Sequence, residues 1–109
     1  MGMSVNGGFG EIVHAPAKWA VKLPANLTLL HSMEIGTAGL TAAASVKKLE
    51  DAKISKELPV LVSGATGGVG SLAINILNKL GYTVHALTGK TYEKDMIKSM
   101  GAIELINRD

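Results

Sequence analysis

The feature that most constrains this 109-residue chain is a glycine-rich turn at residues 63–71, SGATGGVGS. The apolar run at residues 59–63 precedes it and predicts a short strand buried on both faces. The apolar residues that follow recur at helical spacing and predict a helix over about residues 69–80, which Gly81 would end. The pattern therefore predicts a strand, a tight turn and a helix in succession.

Four glycines within this turn indicate a phosphate-binding role. Gly64 permits the tight turn out of the strand, and Gly67 and Gly68 carry no side chain that would hold a pyrophosphate away from the backbone. Gly70 lets the helix pack closely on the sheet, and the N-terminus of that helix presents N–H groups and partial positive charge. No lysine follows as in a P-loop. We therefore predict dinucleotide binding rather than an ordinary structural turn.

The chain beyond the turn repeats the strand–helix alternation. Residues 83–87 predict a second strand, and Thr91 is a candidate cap for a helix whose apolar stripe is Met96, Ile97 and Met100. Gly101 would end that helix before a third strand at residues 103–106. The predicted fold class is α/β, with half of a Rossmann doubly wound parallel sheet in the order β-α-β-α-β.

The residues after the second strand distinguish the two nicotinamide cofactors. An acidic residue there would bind the ribose 2′-hydroxyl of NAD, whereas residues 87–91 (LTGKT) contain no carboxylate. Thr88 and Thr91 offer hydroxyls and Lys90 offers a positive charge, which suits the 2′-phosphate of NADP(H). Arg108 after the third strand is a candidate second cation at the same rim. The alternative for Lys90 is an ordinary solvated loop lysine.

The residues before the sheet predict two further segments. Residues 11–15 and 19–23, interrupted by Pro16 and Pro24, predict short N-terminal β-strands at an edge or in an irregular sheet. Thr28 is a candidate N-cap for a helical piece that runs to about Ile35, where Gly36 breaks it. A second piece over residues 38–49 is rich in small residues, which permit close approach of another backbone or of a flat ligand.

Composition excludes several other classes. The chain has no cysteine, and a net charge of +2 without a basic cluster or stacking aromatics predicts no nucleic-acid partner. The absence of a long apolar run or signal pattern predicts a cytoplasmic protein without a membrane partner. His14, His31 and His85 lack metal-ligand spacing, so we expect no metal site. No catalytic residue is identified.

Three segments in this order resemble the medium-chain dehydrogenase/reductase superfamily, in its zinc-independent quinone oxidoreductase and acrylyl-CoA reductase-like branch. They are residues 7–11 (GGFGE), 35–42 (IGTAGLTA) and 63–71. The resemblance implies that residues 1–24 are the terminal strands of a GroES-like catalytic domain. It implies that residues 25–109 are the N-terminal half of a dinucleotide-binding domain.

The resemblance further implies an NADPH-dependent oxidoreductase that reduces quinones or activated alkenes of the enoyl or acrylyl type. Phosphate contacts would come from Thr66, Gly68 and Val69, and 2′-phosphate contacts from Thr88, Gly89 and Lys90. Thr37 and Thr41 would lie near the nicotinamide or pyrophosphate. Its small-molecule substrate would be an electrophile.

Members of this family are substantially longer than 109 residues, so we expect a fragment that lacks the catalytic residues and is inactive alone. The alternative is a free-standing nucleotide-binding or interaction module without catalysis. A short-chain dehydrogenase shares the glycine pattern. It would instead place the turn near the N-terminus and add a Tyr-x-x-x-Lys pair, which neither Tyr82 nor Tyr92 forms.

The predicted position of the first cofactor-domain strand has a consequence for assembly. In a complete doubly wound sheet this strand, residues 60–63, is central. In the 109-residue chain its outer side would be an unpaired apolar edge. We expect a second copy of the chain or the N-terminal segment to cover that edge, and we expect the chain to form a homo-oligomer through it.

Overall fold

The computed structural model describes Gly2 and residues 4–109, apart from the side chain of Thr91. Met1 and Met3, which begin the predicted 1–24 segment, lie outside the described residues. The chain divides into two compact units, Met1–Ser32 and Met33–Asp109.

The first unit contains one short turn of 3-10 helix, Ala17–Trp19, and no strand among residues 4–28. The Trp19 N–H donates to the Pro16 carbonyl at 2.9 Å, so Pro16 begins a turn rather than separating two strands. The predicted strands at residues 11–15 and 19–23 are therefore wrong. Their β-branched residues favour extended backbone, but a strand also needs a hydrogen-bonded partner, and none of the described residues pairs with them.

Helix α1 spans Leu29–Asp51 and is divided by Gly36, whose φ of 44° and ψ of −146° are not helical. The break predicted at Gly36 is thus confirmed. The predicted cap at Thr28 is also confirmed, because its hydroxyl accepts the N–H of His31 at 3.1 Å. The second piece ends two residues beyond the predicted Leu49.

The second unit contains the predicted sheet. Its strands are β1 (Val60–Ser63), β2 (Val84–Thr88) and β3 (Glu104–Asn107), which lie parallel in the order β1-β2-β3. Helix α2 (Gly68–Lys79) connects the first two strands, and α3 (Lys94–Ser99) the last two. The predicted β-α-β-α-β half-sheet is confirmed, with each strand within one residue of its predicted bounds.

One face of this sheet forms the core. Val62, Val84 and Ala86 alternate along β1 and β2 and pack against α2 and α3, whose most deeply buried side chains are Ile74 and Ile97. Aliphatic side chains dominate this core. The buried cluster comprises Val46, Val62, Ala65, Ile74, Leu77, Tyr82, Val84, Ala86, Ile97 and Ala102.

The other face of the sheet stays open. Leu61 is 54% exposed and Ser63 is exposed, so the prediction that β1 is buried on both faces is wrong for this chain. The apolar run correctly predicts a strand of a parallel sheet, but burial of its second face requires elements that the described residues do not supply. Within those residues β1 pairs only with β2, which leaves its outer edge unpaired.

Glycines with positive φ end both crossover helices. At the end of α2, Gly81 has a φ of 82° and the Tyr82 N–H donates to the Leu77 carbonyl at 3.0 Å. Gly101 has a φ of 110° after α3. A 3-10 turn, Thr91–Glu93, precedes α3, and the capping side chain predicted for Thr91 lies outside the described residues. In the described part of the chain, every helix is too short or too polar to span a membrane.

Candidate nucleotide-binding site

The glycine turn lies at the carboxyl end of β1 and is closed by its own backbone. Gly64 has a φ of 65°, and its carbonyl accepts the Gly67 N–H at 2.9 Å. A Cβ on Gly70 would overlap this same carbonyl, so only glycine lets α2 begin so close to the turn. The Ala65 N–H donates to the Leu87 carbonyl at 3.4 Å, which links the turn to the end of β2.

The N-terminus of α2 is open to an anion. Its cap residue is Gly67, no side chain caps the helix, and its first turn has no acidic residue. The first N–H groups of a helix have no intrahelical acceptor, and the helix dipole adds partial positive charge there. Gly68 has no side chain that could shield its own backbone N–H group. This donor set fits a phosphate or pyrophosphate group.

The second piece of α1 comes close to the turn. A Cβ built on Gly68 would lie 3.6 Å from the Cβ of Ala38, which is ordinary contact. The small residues predicted in this helix therefore permit close approach of the turn. Thr37 and Thr41 are exposed, and the Thr41 hydroxyl donates to the Thr37 carbonyl at 2.8 Å.

A cavity of about 350 Å³ opens between the turn and the ends of the three strands. It brings together six of the predicted site residues, whereas Thr37, Thr41, Gly67, Gly68, Val69 and Gly70 do not line it. Carboxyl ends of parallel strands are the usual ligand-binding edge of an open α/β sheet. The lining residues are Ser63, Gly64, Thr66, Leu87, Thr88, Gly89, Lys90, Arg108 and Asp109.

Thr88 lines this cavity and is buried, with 5% of its surface exposed. Its hydroxyl accepts the Lys90 N–H at 3.0 Å, and its carbonyl accepts the Arg108 N–H at 3.2 Å. The hydroxyl thus positions the Lys90 backbone while it keeps its own proton to donate. Hydrogen bonds to Thr88 therefore position the backbones of both candidate cations, Lys90 and Arg108, at the rim of the cavity.

Arg108 folds over Gly89. A Cβ on Gly89 would lie 3.3 Å from Nη2 of Arg108 and 3.1 Å from Oδ2 of Asp109, so the missing side chain makes room for both. Arg108 and Asp109 form an exposed pair at 3.4 Å. Asp109, Ser63 and Leu87 also line the cavity, although they are not among the predicted site residues. Ser63 and Leu87 sit at strand ends, a position that does signal a binding edge.

No metal centre is evident among the described residues, where no three His, Asp or Glu side chains converge. His85 instead lies on the open face of the sheet, with Nδ1 3.5 Å from Oε2 of Glu104 on the neighbouring strand. The half-buried ring and the exposed carboxylate form a cross-strand pair.

A scan against models of known protein families finds no match. Individual proteins are nevertheless similar. The chain is 49% identical over its whole length to the quinone oxidoreductase YhfP of Bacillus subtilis, of which it covers 33%. It is 44% identical over 94% of its length to the acrylyl-CoA reductase AcuI of Ruegeria pomeroyi, of which it covers 32%. The chain thus spans about one third of the length of the curated relatives it matches.

Solved structures agree with these relatives. The structure of B. subtilis YhfP with NAD bound matches at a TM-score of 0.80 and 51% identity, and the match covers 85% of this chain and 29% of that one. The YhdH oxidoreductase of Salmonella enterica in complex with NADP matches at a TM-score of 0.80 and 47% identity, with the same coverage. The predicted resemblance to medium-chain quinone oxidoreductases and acrylyl-CoA reductases is confirmed.

Proposed function

Because the chain matches one third of these oxidoreductases, we propose that it supplies the phosphate- and adenosine-side part of an NADPH site. The enzyme concerned would reduce quinones or activated alkenes of the enoyl or acrylyl type. The observation that supports this proposal is the glycine turn, Gly64–Gly70. The turn leads into α2 and lies beside the cavity rim that contains Lys90 and Arg108. Nicotinamide cofactors supply hydride, so the protein contributes chiefly binding and orientation.

The pyrophosphate would be held by the N-terminal backbone of α2. Gly68 and Val69 contribute N–H groups there, and Gly67 leaves the approach unobstructed. Thr66 lines the cavity and adds a hydroxyl. Thr37 and Thr41, on the piece of α1 that nears Gly68, would lie toward the nicotinamide or pyrophosphate.

The adenosine end would favour a 2′-phosphate over a 2′-hydroxyl. Lys90 and Arg108 both line the cavity, and Thr88 and Gly89 shape the loop between them. A carboxylate at the end of β2 would favour NAD, but residue 88 is a threonine. We therefore propose NADP(H) as the preferred cofactor.

The proposed domain organisation follows the resemblance. Residues 1–24 would correspond to the end of a GroES-like catalytic domain, without the strands predicted there, and residues 25–109 to the first half of the cofactor domain. No described side chain is proposed as catalytic. An electrophilic small molecule would be the substrate of the whole enzyme.

Calorimetry with NADPH and NADH tests the cofactor assignment. We expect Lys90→Glu to weaken NADPH binding about tenfold or more, because it removes a charge-assisted contact that is typically worth ~1.5–3 kcal/mol. NADH binding should change little. Lys94→Glu is the matched control, since Lys94 is exposed and does not line the cavity. Equal losses for both cofactors would remove the proposed role of Lys90.

The proposed partner of the chain is a second copy, joined through the outer edge of β1. Leu61 and Val62 border an apolar cavity of about 230 Å³ beside this edge. Unpaired strand edges of this kind pair readily with other chains.

Light scattering tests this assembly. We expect the chain to be larger than a monomer at micromolar concentration, and Leu61→Lys to shift it toward monomer because an edge lysine opposes strand pairing. Met96→Lys is the control, because Met96 is 43% exposed on α3, which leads into β3 on the opposite side of β2 from β1. A monomeric wild-type chain would contradict the proposed interface.

A further inference from the structure

Lys90 has a carboxylate partner that does not line the cavity. Its Nζ lies 3.9 Å from Oε1 of Glu93, and the two side chains are 56% and 25% exposed. The intervening 3-10 turn is closed by the Glu93 N–H, which donates to the Lys90 carbonyl at 3.1 Å. The backbone therefore holds the carboxylate beside the ammonium group.

The second oxygen of Glu93 is unusual. Among the described residues, Oε2 is the buried side-chain oxygen without a hydrogen-bond partner. A buried polar atom normally has a partner, because its desolvation is otherwise uncompensated. The other oxygen stands beyond hydrogen-bond length from Lys90. Lys90 is thus the charged group that most directly offsets this carboxylate.

We infer that Glu93 is a positioning residue that acts through Lys90 and limits how strongly the site prefers a 2′-phosphate over a 2′-hydroxyl. This inference rests on the proposed NADPH site. A phosphate bound by Lys90 must compete with Glu93 for the same ammonium group. A 2′-hydroxyl carries no charge, so the competition lowers NADPH affinity and leaves NADH affinity unchanged.

The test is Glu93→Gln, which keeps the size of the side chain and removes its charge. Titrated by calorimetry, the variant should bind NADPH about three- to fivefold tighter, the effect of a partly exposed ion pair. NADH affinity should not change. Asp95→Asn is the matched control, because it removes the same charge from an exposed residue at the start of α3.

A double-mutant cycle separates action through Lys90 from direct repulsion. In a Lys90→Met background, Glu93→Gln should leave NADPH affinity unchanged. Tightening that persists without Lys90 would overturn the positioning role, as would equal changes for NADPH and NADH. Should Glu93→Gln not fold by circular dichroism, Glu93→Ala removes the unpartnered oxygen entirely and carries the same expectation.

The outcomes distinguish the two proposals. A wild-type chain that binds neither cofactor contradicts the proposed function and this inference with it. Suppose instead that the wild-type chain prefers NADPH and Lys90→Glu abolishes that preference. An unchanged preference in Glu93→Gln then overturns the inference alone.

Discussion

Replacing Gly70 by alanine should lower the free energy of unfolding by about 1–3 kcal/mol, the usual cost of overpacking. The added Cβ would overlap the Gly64 carbonyl oxygen and crowd Ala65, and both are backbone atoms that cannot rotate away. Alanine ordinarily stabilises a helix by up to ~1 kcal/mol relative to glycine. A loss at this helical position would therefore reveal the clash with the turn. Urea denaturation followed by circular dichroism measures it.

Gly68→Ala is the matched control for this prediction. Its Cβ would meet Ala38 at 3.6 Å, an ordinary contact, so stability should be unchanged or slightly higher. If Gly70→Ala were as stable as Gly68→Ala, the close packing of turn and helix would be contradicted.

Ile74→Ala should have the largest effect on stability, about 2–5 kcal/mol. Ile74 is fully buried at the centre of α2 against the sheet, and few other large side chains share that burial. Domains are stable by only ~5–15 kcal/mol, so this loss removes a substantial fraction. Thermal unfolding should show a midpoint lowered by roughly 10 °C or more, at ~4–8 °C per kcal/mol.

The same substitution at an exposed position provides the control. Ile12 is 94% exposed, so Ile12→Ala should change stability by less than about 0.5 kcal/mol. Ile74→Val removes a single methylene and should cost about 0.5–1.5 kcal/mol. A melting midpoint that is equal for Ile74→Ala and Ile12→Ala would show that the described core does not hold the unit together.

Local patterns predicted most of the second unit. Apolar runs predicted its three strands, and helical spacing predicted α2. Gly36 and Gly81 indicated positions with a positive φ, a backbone conformation that residues with side chains disfavour. The glycine turn was also predicted from sequence, because each of its glycines meets a steric requirement set by residues only a few positions away. These signals are short in range, which is why they can be read without a tertiary structure.

The segments that were predicted wrongly depend on contacts with residues that are distant in sequence. Residues 11–15 form no strand, because a strand requires a hydrogen-bonded neighbour and not only residues that favour extended backbone. The exposure of Leu61 likewise depends on what covers the second face of the sheet. The approach of Arg108 to Gly89 joins residues 19 positions apart, which only the pairing of β2 with β3 brings together.

By itself the sequence determined the order of strands and helices, the position of the glycine turn between β1 and α2, and the cation that follows β2. These properties follow from backbone sterics and periodicity within a few residues. Only the tertiary structure decided that Thr88 hydrogen-bonds to the backbones of both cations, that Asp109 lines the cavity and that a buried oxygen of Glu93 has no hydrogen-bond partner among the described residues. Those features depend on where strand ends and side chains meet in space.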